Sequence, residues 1–222
     1  MDKLEPKTKG MIGVYGGTFD PVHFGHLRTI LEVKERLGLQ QIRWVPCAQP
    51  VHRGRPSATV QHRFSMLQQA TENIPDFIVD TQEMVRDKPS YMIETLTSLR
   101  QQFRQQSLVL IIGGDAFEKI NTWFQWQQLF DYAHIVVMQR PGSNLENVNL
   151  ALFLQERLTN NAADLARKGQ GYLYFQNVIQ LDISATQIRQ KVAQHESIDF
   201  LLPNNIIKYI RDNDLYLGDS NA

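Results

Sequence analysis

Short apolar runs alternate along the chain with longer stretches whose apolar residues recur every three or four positions. The runs MIGVYG (11–16) and IRWVP (42–46) flank FGHLRTILEVKERLG (24–38), whose apolar side chains fall near one helical face and which ends at a glycine. Apolar residues at every second position or in one continuous run indicate a strand, and apolar residues that recur about every 3.6 positions indicate a helix. The segment therefore predicts a right-handed βαβ unit with parallel strands.

The same alternation continues to the end of the chain. Further strands are predicted at 77–81, 107–115, 134–142 and 172–176. Further helices are predicted at 60–74, 88–103 from Pro89 and Ser90, 116–130 in two pieces broken near Asn121, 149–158, 185–195 and 203–213, with 159–171 as a connector. This order predicts an α/β fold with a Rossmann-like, doubly wound, mainly parallel sheet and helices on both faces. Residues 1–9 are expected to be a polar tail, and residues 10–217 a single domain.

Composition restricts the partners that the chain can recruit. The 222 residues include 23 basic residues (lysine and arginine) and 23 acidic residues (aspartate and glutamate). No overall field of either sign therefore attracts a nucleic acid or an anionic membrane. No run approaches the roughly 18 apolar residues of a spanning helix, and the start of the chain lacks the apolar core of a signal peptide. We expect a cytoplasmic protein without nucleic-acid or membrane partners.

Cys47 is the only cysteine. It excludes an internal disulfide framework and a thiol-rich metal site. A nucleophilic thiol and an ordinary packing residue both remain open for it.

The most unusual segment is YGGTFDPVHFGHL (15–27), which joins the first strand to the first helix. Gly16 and Gly17 allow a sharp turn and close approach of the backbone to a ligand, an Asp-Pro pair fixes the turn, and the following helix start favours an anion. The segment matches neither a P-loop nor the G-x-G-x-x-G fingerprint. His23 and His26 are spaced to face the same anion, where imidazole donors can stabilise a transferring phosphoryl group.

Two other interpretations of these histidines stay open. Both rings could simply bond backbone carbonyls. A zinc site is the second, although no cysteine or carboxylate lies at a suitable helical offset, so no resident metal is predicted.

Two further segments offer groups for phosphates. Ser184 and Thr186 stand at a helix start with Arg189 one turn later, so hydroxyls, free N–H groups and a guanidinium can converge on one phosphate. The alternative is an ordinary N-cap followed by a solvent-facing arginine. His52 and Arg53 lie in a polar loop that could close over phosphates or be a solvated basic loop.

The turn after the strand at 107–115 and the aromatic segment beyond it are candidates for nucleotide contacts. Asp115 could cap the next helix, bond a ribose, or approach magnesium through water. Trp123, Phe124 and Trp126 are crowded together, and an indole left facing a cavity would stack on a flat pyridine ring. Core packing is the alternative for all three aromatic residues, and we prefer it for Phe124 and Trp126.

The segment GGTFDPVHFGH (16–26) resembles the G-x-F-D-P-x-H-x-G-H signature of the nucleotidyltransferase superfamily with an HxGH motif. Within it, the chain is similar to the bacterial nicotinate-nucleotide adenylyltransferase family from about Met11 to Tyr216. Further segments recur in family order: PVHR (50–53), KPSY (88–91), IIGGDAF (111–117), TWFQW (122–126), RPG (140–142) and ISATQIR (183–189).

The resemblance implies transfer of the adenylyl group of ATP to nicotinate mononucleotide, giving nicotinate adenine dinucleotide and pyrophosphate, with Mg²⁺ accompanying ATP. It implies catalytic roles for His23, His26 and Arg189. The residues expected to bind ATP are Gly16, Gly17, Thr18, Phe19, His23, His26, Asp115, Ser184, Thr186 and Arg189. Those expected to bind the mononucleotide are Trp123, which would stack on its ring, with Phe124, Tyr91, His52 and Arg53. The family often has threonine where Met92 stands, which weakens a side-chain role near Tyr91.

Other functions are compatible with parts of the sequence. An adenylyltransferase for nicotinamide mononucleotide or phosphopantetheine is the nearest, and TWFQW and KPSY argue against it. An NAD-dependent dehydrogenase is disfavoured by the first turn, and a non-catalytic nucleotide sensor by the intact polar groups. A homodimer is possible.

Overall fold

The computed structural model describes residues 10–50, 55–86, 89–142 and 151–218. The strands are β1 (Met11–Gly17), β2 (Gln41–Pro46), β3 (Phe77–Val79), β4 (Ser107–Gly113), β5 (His134–Gln139) and β6 (Leu173–Asn177). They form one six-stranded parallel sheet in the order β3-β2-β1-β4-β5-β6, with helices around it. The predicted Rossmann-like α/β fold is confirmed.

Eight α-helices are described. They are α1 (Phe24–Leu37), α2 (Val60–Thr71), α3 (Met92–Gln102), α4 (Gly114–Phe117), α5 (Leu152–Gln155), α6 (Ala163–Arg167), α7 (Ala185–Ala193) and α8 (Asn204–Asp212). Two 3₁₀ turns, Ile120–Thr122 and Trp126–Asp131, follow α4. Helix α1 stops where Gly38 takes a φ of +65°, a value that glycine adopts without a steric cost. Among the described residues, no helix has the length and apolar character needed to cross a membrane.

Several predicted boundaries were wrong. Helix α3 begins at Met92 rather than at Pro89, because Ser90 is engaged elsewhere: its hydroxyl accepts hydrogen bonds from the backbone N–H groups of Ala48 and Gln49. Asn121 lies inside a 3₁₀ turn, and the break comes at residues 123–125, where Gln125 adopts a φ of +51°.

Other predicted helices and connectors also differ from the structure. Within 149–158, the described helix is only α5, because residues 149–150 lie outside the described part and the helix ends after Gln155. The expected connector at 159–171 contains α6, and just before this helix the Asn161 side chain accepts a hydrogen bond from the N–H of Ala163. The polar tail at 1–9 lies outside the described residues.

Contacts divide the chain into two compact units. The first comprises the described residues of Met1–Gly16, Val33–Arg43 and Tyr91–Ile179, and the second those of Gly17–Glu32, Trp44–Ser90 and Gln180–Ala222. That residues 10–217 form a single domain stays a prediction.

The centre of the first unit is the strand pair β4 and β5. Every residue of β5 is buried, as are the first six of β4, which is typical of parallel strands covered on both faces. Strand β1 pairs with β4 in parallel, with Tyr15 opposite Ile111. The strand order reverses between these two strands, and in such sheets ligands bind beyond the carboxyl ends of the strands at this point. The segment that follows each of these strands is therefore a candidate position for ligand contacts.

Candidate active site

Residues 17–26, which run from the last residue of β1 into the first turn of α1, form the histidine turn. It belongs to the second unit. Phe19 is 2% exposed and has a φ of +49°, an uncommon conformation for a residue with a side chain. Its ring contacts the rings of His26 at 5.3 Å and Trp44 at 5.5 Å between centroids. A Cβ on Gly17 would lie 2.8 Å from the Phe19 ring, so this position requires glycine. Phe19 thus supports the turn from inside.

His23 and His26 are brought together at the start of α1. Their ring centroids are 3.8 Å apart with a 30° angle between the planes. The backbone carbonyl of His23 accepts hydrogen bonds from the N–H groups of His26 and Leu27, which begins the helix. The His23 N–H donates to Nδ1 of His26 at 3.4 Å. An accepting Nδ1 carries no proton, so Nε2 of His26 is the protonated nitrogen and is a donor.

His23 is held as a neutral imidazole. The residue is 5% exposed, and burial lowers the pKa of its side chain to about 4. Its Nδ1 has no hydrogen-bond partner within the described part of the chain. The interpretation that each ring satisfies a backbone carbonyl therefore fails for this nitrogen.

Gly25, between the two histidines, makes room for His23. A Cβ at this position would lie 2.9 Å from both Cε1 and Nδ1 of the His23 ring, and 3.3 Å from the backbone oxygen of Ile183. Backbone φ at Gly25 is not in the left-handed region. The glycine is needed for space rather than for backbone freedom.

Arg189 reaches the histidine turn from α7. Its Nη1 donates to the backbone oxygen of Asp20 at 2.7 Å and its Nη2 to Oγ1 of Thr186 at 3.3 Å. The alternative of a solvent-facing arginine is therefore wrong. The Ser184 hydroxyl accepts from the N–H of Gln187, so this residue is an N-cap, while its side chain remains exposed.

Two buried charged residues, which the sequence did not indicate as site residues, hold this turn. Asp20 is 5% exposed, and its carboxylate accepts three hydrogen bonds, from the N–H groups of Ser57 and Ala58 and from the hydroxyl of Tyr216. Asp20 stood in the recognised motif, but only as part of an Asp-Pro turn.

Arg63 in α2 is the second of these residues. It is 1% exposed, and burial lowers the pKa of its guanidinium. Its Nη1 donates to the backbone oxygens of Thr18 and Cys47, each at 2.7 Å, and its Nη2 to that of Ala48 at 3.4 Å. No signal in the sequence distinguishes this arginine from the other polar residues of an amphipathic helix.

The first unit contains the remaining described candidates. Gly16 lies in β1. Asp115 is exposed in the first turn of α4, and Gly113 rather than Asp115 occupies the N-cap position. A Cβ on Gly113 would lie 2.7 Å from Oδ1 of Asp115. The capping interpretation of Asp115 is thus wrong.

The aromatic segment presents two different environments. Trp123 is half-buried, and Phe124 is 50% exposed with its ring 4.8 Å from that of Tyr91. Trp126 packs against Phe153 at 5.3 Å. Core packing, preferred from the sequence for Phe124, is therefore wrong for that residue. His52 and Arg53 lie outside the described residues, and their roles stay predictions.

Comparison with known families gives the class of the protein. The model of the cytidylyltransferase-like family matches residues 14–191, which include the histidine turn and Arg189. Two solved structures have the same fold: the Plasmodium falciparum nicotinic acid mononucleotide adenylyltransferase complexed with NaAD, at a TM-score of 0.69, and the same enzyme complexed with APC, at 0.66. Each is 17% identical to this chain and covers 93% of it, with 97% of the solved chain covered.

Closer relatives define the particular family. The probable nicotinate-nucleotide adenylyltransferase of Methylococcus capsulatus is 44% identical over 93% of this chain and 99% of its own length. The corresponding protein of Pseudomonas syringae pv. tomato is 42% identical over 92% of this chain and 93% of its own length. The chain therefore belongs to the cytidylyltransferase-like family and, within it, to the nicotinate-nucleotide adenylyltransferases.

Proposed function

We propose that this chain transfers the adenylyl group of ATP to nicotinate mononucleotide, giving nicotinate adenine dinucleotide and pyrophosphate in NAD biosynthesis. The observation that carries the proposal is the convergence of His23, His26 and Arg189 on one turn in the second unit. Family membership, with relatives of that name matched over nearly their whole length, supports the choice of substrates.

The reaction needs charge stabilisation more than covalent chemistry. An oxygen of the mononucleotide phosphate attacks the α-phosphorus of ATP in line. The bond from this phosphorus to the oxygen bridging it to the β-phosphate breaks, and pyrophosphate leaves. Because no enzyme group bonds to phosphorus, catalysis consists of positioning and stabilisation of charge on the phosphate oxygens.

His23, His26 and Arg189 differ in protonation, and each therefore contributes differently to stabilising charge on the phosphate oxygens. His26 offers the Nε2–H, since its Nδ1 accepts from the backbone, and this donor stands in the first turn of α1. His23 packs against His26 as a buried neutral ring. Arg189 brings a full positive charge that can follow the triphosphate as pyrophosphate forms. Ser184 and Thr186 add hydroxyls at the start of α7.

We further propose that Mg²⁺ reaches the enzyme as its complex with ATP. The described residues contain no group of three or more His, Cys, Asp or Glu side chains placed to hold a metal ion. Mg²⁺ commonly keeps several waters and binds through substrate phosphates. We therefore treat the ion as part of the substrate and assign it no protein ligand.

The first unit supplies the groups proposed for the nicotinate ring. Trp123 is half-buried and can stack on a flat pyridine ring, and the Tyr91–Phe124 pair presents a partly exposed aromatic surface. Asp115, exposed after β4, is proposed to contact ATP. The cytoplasmic location and a possible homodimer stay predictions.

The decisive experiment measures pyrophosphate release from magnesium ATP with nicotinate mononucleotide, nicotinamide mononucleotide and phosphopantetheine supplied separately. We expect strong preference for nicotinate mononucleotide, and a loss of at least ~100-fold in turnover for His26→Ala, the effect of removing one preorganised donor. Preference for another acceptor would reject the ring assignment. No release with any acceptor would favour a nucleotide sensor, and a His26→Ala variant within threefold of wild type would reject the role of His26.

A further inference from the structure

Asp20 is an almost fully buried carboxylate with three donors around it. Oδ2 accepts from the Ser57 N–H at 2.7 Å, and Oδ1 accepts from the Ala58 N–H at 3.1 Å and from the Tyr216 hydroxyl at 2.8 Å. These donors lie 37, 38 and 196 residues away along the chain, yet all belong to the second unit. An ionised carboxylate only accepts hydrogen bonds, so three surrounding donors suit it. The side chain fixes the histidine turn to two distant segments.

The backbone of the same residue holds a catalytic candidate. The carbonyl oxygen of Asp20 accepts from Nη1 of Arg189 at 2.7 Å. Its neighbour Phe19 contacts the His26 ring, and His23 follows three residues later. A shift of Asp20 therefore moves the anchor of Arg189 and the turn that carries both histidines.

Tyr216 completes this arrangement from near the end of the chain. Its side chain is half-buried, and burial together with the adjacent Asp20 carboxylate raises the pKa of the phenol, which keeps the hydroxyl protonated as a donor. Tyr216 has a φ of +66°, uncommon for a residue with a side chain. It also lies beyond residue 191, where the match to the family model ends.

We propose that Asp20 is a positioning residue for adenylyl transfer, and that its hydrogen bond with Tyr216 sets the geometry of Arg189 and the histidine pair. Neither side chain needs to touch a substrate, because both act through the histidine turn. The inference rests on the proposed function, since its readout is that reaction.

The sharpest variant is Tyr216→Phe, which removes one hydroxyl and keeps the ring. Tyr209→Phe is the matched control, because the Tyr209 hydroxyl bonds Nδ1 of His62 at 3.0 Å in the same unit, and no hydrogen bond links it to Asp20 among the described residues. We expect Tyr216→Phe to lower kcat about 10-fold, since a misplacement of 1 Å can cost as much as 10²-fold. KM for either substrate should change less than about twofold, because a small shift of Arg189 and the two histidines weakens stabilisation of the transition state more than it weakens binding of ATP. Tyr209→Phe should keep the wild-type kcat.

A double-mutant cycle separates positioning from a general loss of structure. If the Asp20–Tyr216 bond acts through Arg189, Tyr216→Phe should lower kcat much less in an Arg189→Ala background than in wild type. Asp20→Asn should lower kcat more than Tyr216→Phe does, because the NH₂ group of the asparagine would face one of the three donors. Thermal unfolding of each variant shows whether the fraction folded at the assay temperature is unchanged.

The outcomes separate this inference from the function on which it rests. Wild-type protein inactive with every acceptor would overturn the proposed function, and the positioning role with it. Active wild type with a Tyr216→Phe kcat within twofold would overturn the positioning role alone. Fully additive effects with Arg189→Ala would also overturn it, as would an equal loss of kcat in Tyr209→Phe.

Discussion

The substitution Gly25→Ala tests the geometry of the histidine pair with a single methyl group. The new Cβ would lie 2.9 Å from Cε1 and Nδ1 of His23, closer than real Cβ atoms approach, and 3.3 Å from the backbone oxygen of Ile183. The His23 ring cannot simply swing into solvent, because the residue is only 5% exposed. The ring must shift against its neighbour His26, whose centroid is 3.8 Å away.

The effect on stability should be small because two contributions oppose each other. Replacing glycine by alanine within a helix stabilises by roughly 0.5–1 kcal/mol. Forcing an extra methyl into a filled site costs typically about 1–3 kcal/mol. The net loss is about 2.5 kcal/mol or less, against a total stability on the order of 5–15 kcal/mol for a folded domain. The variant should therefore remain folded.

The effect on activity should be far larger. A displaced His23 moves the ring that positions His26, and loss of one preorganised donor costs about 10²–10³ in kcat. We expect kcat to fall at least ~100-fold in the pyrophosphate-release assay, while urea unfolding shows a loss of at most about 2.5 kcal/mol.

Gly169→Ala is the matched control, because a Cβ there meets nothing within 4 Å and the backbone φ is not in the left-handed region. It should be close to wild type in both measurements. A Gly25→Ala enzyme with kcat within threefold of wild type would refute the argument that this glycine protects the histidine geometry. A collapse of stability would instead show that the site cannot relax as assumed.

Three other predictions concern stability and substrate binding. His134 bonds backbone groups through both ring nitrogens, and mainly burial lowers its pKa to about 4 from 6.5, so the folded state disfavours its protonation. Stability should fall as the pH drops from 6.5 towards 4, by up to about 3 kcal/mol from this residue, and urea unfolding of His134→Gln should show a shallower loss over that window. Arg63→Met should lower the free energy of unfolding by roughly 3 kcal/mol or more, because buried carbonyls lose their donor. Arg63→Lys should recover part of that free energy. A loss below about 1 kcal/mol for Arg63→Met would contradict this prediction. Trp123→Ala should raise KM for nicotinate mononucleotide far more than KM for ATP, whereas equal changes would reject the stacking role.

The fold was predictable from the sequence where burial follows directly from local pattern. The run SLVLIIG forms β4 with its first six residues buried, and the periodic stretch from Phe24 forms α1 almost as predicted. The segment between β4 and β5 was less predictable, because it consists of short turns. Its break coincides with Gln125 in the left-handed region, a conformation that a residue with a side chain seldom adopts and that local pattern does not predict.

The same distinction applies to the candidate site. His23 and His26 were found because they lie three residues apart, so the strand-to-helix turn alone brings them together. Asp20 and Arg63 gave no comparable signal. The hydrogen bonds of Asp20 join it to residues up to 196 positions away, and those of Arg63 to residues up to 45 away. Such partners are set by the fold, so their roles are visible only in three dimensions.

The hydrogen bonds around Asp20 are consistent with the role proposed for Arg189, which is to contact a triphosphate. A guanidinium beside a carboxylate tends to form a bidentate ion pair, which would neutralise both groups. Here the Asp20 carboxylate accepts from two backbone N–H groups and a hydroxyl, whereas Arg189 donates to the backbone carbonyl of the same residue. Neutral donors thus occupy the negative oxygens, and a neutral acceptor orients the positive side chain without cancelling its charge. In the role proposed for it, Arg189 can therefore be held firmly by the histidine turn and still present its charge to an anionic substrate.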